Sequence, residues 1–156
     1  MRTFDAMGLE LCSFQAKIFE ASVSESNLSS PLFVKYYMYS REARSLDEGL
    51  FVTGFPDCER IISDMNIKYR NVRGSRKYSE QAMYWMGYLY RYWCYTRQVP
   101  SRYVYNLIKP DELNALYFAY HSLDPDAAIT RITEARGIAS EKTALESLRK
   151  AYFSKS

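Results

Sequence analysis

Histidine is almost missing from this chain of 156 residues, where His121 stands alone, and cysteine is scarce, with Cys12, Cys58 and Cys94 forming no Cys-x-x-Cys pair. Those counts exclude a zinc site built by this chain alone and argue against a disulfide framework, leaving three buried thiols that act as small hydrophobes. Six Gly and five Pro are too few for a collagen-like, low-complexity or disordered polymer. No stretch approaches the roughly eighteen apolar residues of a membrane span. The opening Met1-Arg2-Thr3-Phe4-Asp5 has neither the basic start nor the apolar run of a signal peptide, so a cytoplasmic chain without a membrane partner is expected. A Gly-rich phosphate loop, a His-x-x-x-His pair and paired carboxylates in an apolar setting are also missing, and no cofactor or catalytic set is expected.

What is abundant is aromatic surface: 15 Tyr, 8 Phe and 2 Trp in a chain that is 47% hydrophobic. Each Tyr brings a large apolar ring and a hydroxyl that needs a partner when buried, so the core should be large and partly polar.

Apolar residues recur at helical spacing throughout. Met7, Leu11, Phe14, Ile18 and Ala21 place a helix over about 5–23. Ser30-Pro31 opens a second, aromatic helix that stops before Ser40 or runs on to Leu46. Asp57 caps a third near 56–66. Ser79 opens the strongest, to about Thr96, apolar on every face and therefore central and buried. Ser101 caps a short helix carrying Val104, Tyr105 and Ile108. Pro110 starts another, Asp124-Pro125-Asp126 caps one that Gly137 stops, and Ser140 with Glu141 begins a last one through Tyr152. With no convincing strand alternation, the fold class is all-α: a single compact domain over 1–156, with seven or eight helices around the one at 79–96.

Charge is segregated. Residues 60–110 hold ten Lys and Arg against Asp64 and Glu80, a net +8, while the remainder carries −5. Lys68, Arg70, Arg73, Arg76 and Lys77 fall in an exposed basic linker near 66–77, which together with Arg97 and Arg102 is the predicted partner-binding set. Cations interleaved with aromatics suit an acidic protein surface or a nucleic-acid backbone. The bland alternative is an aromatic core with a solvated basic face. The 79–109 stretch also matches helix-turn-helix spacing, but 101–109 has few residues free to read a groove.

Arg91 lies inside the all-round apolar helix with no acid within one turn. Its guanidinium cannot lose its charge and must find carboxylates, carbonyls or a ligand anion. Either it ties to a distant acid such as Asp111, Glu112 or Asp124, or it opens into a pocket with His121 and tyrosine hydroxyls. Arg91, Tyr90 and His121 are thus the expected buried polar centre. His121 otherwise ends its helix, where the dipole favours it.

The run Gly87-Tyr88-Leu89-Tyr90-Arg91-Tyr92-Trp93, with Val104-Tyr105-Asn106-Leu107-Ile108-Lys109-Pro110 and Tyr120-His121-Ser122-Leu123-Asp124, resembles a family of small bacterial antitoxin-like proteins from two-gene toxin–antitoxin loci. The similarity spans about 30–136 and is densest over 78–132. It implies an interaction role, neutralising a cognate toxin from the neighbouring gene by direct binding, and brings no catalytic residues with it. The alternative is a DNA-binding regulator of its own operon using the basic 68–109 region. A third reading is a small enzyme centred on His121, Arg91 and Tyr90.

Overall fold

A computed structural model describes residues 1–49, 57–72, 74–137 and 149. Among them are eight helices and no strand: α1 (Ala6–Glu25), α2 (Ser30–Met38), α3 (Arg41–Glu48), α4 (Cys58–Lys68), α5 (Glu80–Arg97), α6 (Ser101–Leu107), α7 (Pro110–Tyr120) and α8 (Pro125–Ala135). The helix expected from Ser140, and Arg73, lie outside the described residues.

Local capping chemistry sets most of the boundaries. Asp5 accepts from the Gly8 N–H to open α1, Ser29 from Leu32 to open α2, and Asp57, Ser79 and Asp124 do the same for α4, α5 and α8. Of the two ends expected for the second helix, the earlier one, before Ser40, is the one observed. The helix ends at Met38, and Ser40 starts α3 by accepting from Ala43 N–H at 3.2 Å, a side-chain bond that competes with helix continuation. Gly49, at φ 65°, ends α3 in the left-handed conformation. Ser101 does not cap α6, because Pro100 is the cap residue and makes no side-chain bond. Asp47 of α3 supplies that function from across the structure, accepting the Ser101 N–H at 2.9 Å.

The largest pairing of helices is α1 against α5. They meet closely at Gly87, where an added Cβ would lie 2.8 Å from Phe19 Cγ and 2.9 Å from the Gln15 carbonyl oxygen. Around that contact Phe19 touches the rings of Phe33, Tyr37 and Tyr90 at centroid distances of 5.9, 5.3 and 6.4 Å.

The all-round burial expected of α5 holds for its second half, where Leu89 to Arg97 are all buried. Its first half differs: Glu80 and Gln81 are exposed and Tyr84, Trp85 and Tyr88 only partly covered. The difference follows from the packing: α1 closes one side, α6 and the Arg97–Asp126 pair to α8 close over the C-terminal end, and α7 meets the first half through the edge-on Trp85–Tyr117 contact. Of the three thiols, Cys12 and Cys94 are buried, whereas Cys58, the first residue of α4, is half-buried.

Candidate functional site

Arg91 is 1% exposed and fully engaged inside the molecule. Its Nη1 donates to Asp47 Oδ1 at 2.6 Å, Nε and Nη2 both donate to Gln15 Oε1 at 2.9 and 2.8 Å, and Nη2 also donates to Ser101 Oγ at 2.8 Å. Gln15 in turn donates through Nε2 to the Gly87 carbonyl at 2.9 Å, and Ser101 Oγ donates to Asp47 Oδ1 at 2.7 Å. Four helices, α1, α3, α5 and α6, thereby converge on one guanidinium.

The acids expected to hold Arg91 are engaged elsewhere. Asp111 binds Arg76 and the Tyr78 hydroxyl, Glu112 pairs with Arg136, and Asp124 caps α8. His121 is not part of this centre either. It is the exposed C-cap of α7, stacked on Tyr117 at 4.4 Å, with Nδ1 2.7 Å from the Tyr117 carbonyl oxygen. The carbonyl can only accept, so Nδ1 carries the proton in that bond. Tyr90 is buried but directs its hydroxyl to the Ile108 carbonyl at 2.6 Å rather than to Arg91. Burial holds that phenol well above the ordinary tyrosine range.

The six cations of the predicted partner-binding set that fall among the described residues do not form one surface. Lys77 is drawn inward, its ammonium donating to the carbonyls of Ser22, Ser26 and Leu28 at 3.2, 2.8 and 2.6 Å, which caps the C-terminal end of α1. Burial holds its pKa below the usual lysine value. The flanking strand of chain is pinned as well: Ser30 N–H donates to the Arg76 carbonyl and Tyr78 N–H to Ser30 Oγ. Arg97 is buried and pairs with Asp126 at 2.7 Å. Arg76 pairs with Asp111 at 3.0 Å on the surface. Lys68 and Arg70 are exposed at the end of α4, Lys68 lying over the Tyr69 ring, and Arg102 sits 5.8 Å from the centroid of Tyr39. The expected exposed linker thus begins inside a helix and ends as a strap bonded to α1 and α2.

The surface that does assemble is aromatic. Phe118 on α7 is 88% exposed and lines one of two neighbouring hollows, which share Tyr117 as a wall. One, of about 610 Å³, lies between the first half of α5 and the end of α7, with Tyr84, Trp85, Tyr88, Tyr117 and His121 as its aromatic walls and Glu20 as its acid. The other, of about 400 Å³, is lined by Arg76, Tyr78, Asn114, Tyr117 and Phe118. Trp85 meets Tyr117 edge-on at 5.9 Å, and Tyr117 meets Phe118 at 5.6 Å, so the rings form a continuous ridge. Two residues singled out from sequence, Arg76 and His121, lie at its opposite ends. Trp85, Tyr117 and Phe118 were missed as site residues. The available signal was Phe118 itself, which falls off the Leu113, Leu116, Tyr117, Tyr120 stripe of its helix.

Among the described residues no group of three His, Cys, Asp or Glu side chains is placed to hold a metal ion, and no helix is long and apolar enough to cross a membrane. Compared with known proteins, the chain matches no family model, no curated protein and no solved structure.

Proposed function

We infer that this chain is a protein-binding domain that acts by covering a partner, as an antitoxin covers its toxin, and that the α5–α7 aromatic ridge makes the contact. The observation that carries this reading is Phe118, 88% exposed at the end of a run of Trp and Tyr rings, beside one of two neighbouring hollows that share Tyr117 as a wall. An isolated exposed phenylalanine needs no explanation, but one set in a contiguous aromatic patch marks a surface awaiting a partner. Trp and Tyr dominate interface hot spots, and their rings lose little conformational freedom on binding. Arg76 at one end and Glu20 and His121 at the other supply the polar rim that such a surface needs. The resemblance to antitoxin-like proteins supports the same role.

Co-expression with the product of the neighbouring gene tests the reading. The expected result is a toxic neighbour that co-purifies with this chain and is neutralised by it. Phe118→Ala should weaken the complex by about 2 kcal/mol, roughly thirtyfold, as loss of a central aromatic anchor does, while the thermal midpoint of the free protein stays where it was. A harmless neighbour, no complex, or a Phe118→Ala protein that binds as tightly as the parent overturns it.

A further inference from the structure

The other end of α5 carries a different kind of recess. Where α3 and the start of α6 meet the last turns of α5, a cavity of about 560 Å³ opens, within the range of small-ligand sites. Arg91 and Asp47 form part of its floor, and Arg2, Arg44, Arg102 and Glu48 bring the charge on its walls. Four guanidiniums therefore face two carboxylates.

The floor is neutral within itself, since Asp47 is occupied by Arg91 and by both the N–H and the hydroxyl of Ser101. Arg2, Arg44 and Arg102 remain against Glu48, and among the described residues none of the three is ion-paired to a carboxylate. Two of them are steadied by rings: Arg2 lies 4.2 Å from the centroid of Tyr95 and Arg102 lies 5.8 Å from that of Tyr39. The Arg2 N–H also donates to the Thr96 carbonyl at 2.6 Å, which ties the start of the chain to the cavity rim. Guanidiniums held this way lose less freedom when an anion arrives.

The planar fork of arginine matches the oxygens of phosphate or carboxylate, and an excess of about two positive charges matches the charge of one phosphomonoester near neutral pH. Tyr39, 44% exposed on the wall, offers a ring for a flat organic body. We propose that this cavity binds a small phosphomonoester of mononucleotide size, with Arg2, Arg44 and Arg102 gripping the phosphate and Tyr39 packing against the rest. The site is independent of the aromatic ridge, which uses the opposite half of α5.

Calorimetric titration of the full-length chain with adenosine monophosphate, inorganic phosphate and adenosine tests it. The mononucleotide should bind more tightly than inorganic phosphate, and the uncharged nucleoside should not bind. Arg44→Gln combined with Arg102→Gln should weaken mononucleotide binding by at least about tenfold, the loss expected when charge-assisted contacts go, with the thermal midpoint of the ligand-free protein unchanged. No heat with the mononucleotide, equal binding of nucleoside and nucleotide, or undiminished binding by the double variant overturns the proposal.

Discussion

Arg91 on α5 and Asp47 on α3 meet at 2.6 Å across 44 positions of sequence, and the burial of the two partners is unequal: the arginine side chain is 1% exposed and the carboxylate 14%. Removing either partner strands the other. Breaking a buried pair in this way costs on the order of 3–5 kcal/mol, against a total of about 5–15 kcal/mol for a domain. Arg91→Met and Asp47→Ala should both fall in that range, and Asp47→Ala should cost more, because it leaves the more deeply buried charge and also orphans the Ser101 N–H. Urea unfolding of the two variants measures the order. A fully stable Arg91→Met protein shows the centre is not structural.

Lys77 meets three carbonyls at the end of α1, a cradle that suits a compact ammonium with three rotatable donors. Lys77→Met keeps the stem and removes the charge. Losing hydrogen bonds to a charged group should cost about 1.5–3 kcal/mol, and Lys77→Arg should not restore it, because a planar fork cannot aim at all three oxygens. Chemical denaturation of both variants tests this, and a Lys77→Met protein as stable as the parent refutes it.

Gln98 ends α5 at φ 55°, a left-handed conformation that disfavours a side chain with Cβ. Glycine there relieves about 1–2 kcal/mol of steric cost and gives back about 0.5–1 kcal/mol in unfolded-chain entropy. Gln98→Gly should therefore raise stability slightly, seen as an upward shift of the thermal midpoint. A lower midpoint would mean the Gln98 side chain makes a contribution larger than the backbone strain.

Asp5 accepts hydrogen bonds from the Tyr95 hydroxyl and the Gly8 N–H, and these hold its carboxyl below the usual aspartate range. A depressed folded-state pKa means that the unfolded chain binds the proton first. The stabilisation is present above the unfolded value and is lost as pH falls through the folded one. Asp5→Asn should remove that part of the acid sensitivity, so the thermal midpoints of parent and variant should converge as pH drops below about 4. A constant gap between them down to the acid limit contradicts the assignment.

Helix positions were readable because their signals are local. Asp57, Ser79 and Asp124 cap within a few residues of themselves, Pro31, Pro110 and Pro125 sit where a first turn tolerates a missing N–H, and the cap of the second helix falls one residue earlier than expected, at Ser29 rather than Ser30. Arg91 could be recognised as needing a partner, since its charge is permanent, but not matched to Asp47. That choice depends on how α3 folds back on α5, and nothing local in the sequence favoured Asp47 over the expected Asp111, Glu112 or Asp124. Lys77 and Arg97 were misread for a related reason: a cation in a polar stretch looks solvated until tertiary structure brings carbonyls or a carboxylate to it. The aromatic ridge was hidden by composition, because a helix with Tyr and Trp on every face looks buried along its whole length, and only tertiary packing shows that its second half is covered while Tyr84, Trp85 and Tyr88 stay partly open.

The missing side chain at Gly87 has a mechanical consequence. With Phe19 seated on that backbone and Gln15 bonded to both the Gly87 carbonyl and Arg91, a shift of α1 along α5 by one residue, about 1.5 Å, would break three hydrogen bonds and dislodge a ring together. The two helices are locked in register. Trp85 and Tyr88 project from the same stretch of α5 as the lock, on a neighbouring face, so any visitor to the ridge meets a stiff, pre-formed template that gives up little entropy on contact. Discrimination at such a surface is steric: a partner whose contour is wrong is turned away because the helix beneath the rings cannot slide to accommodate it.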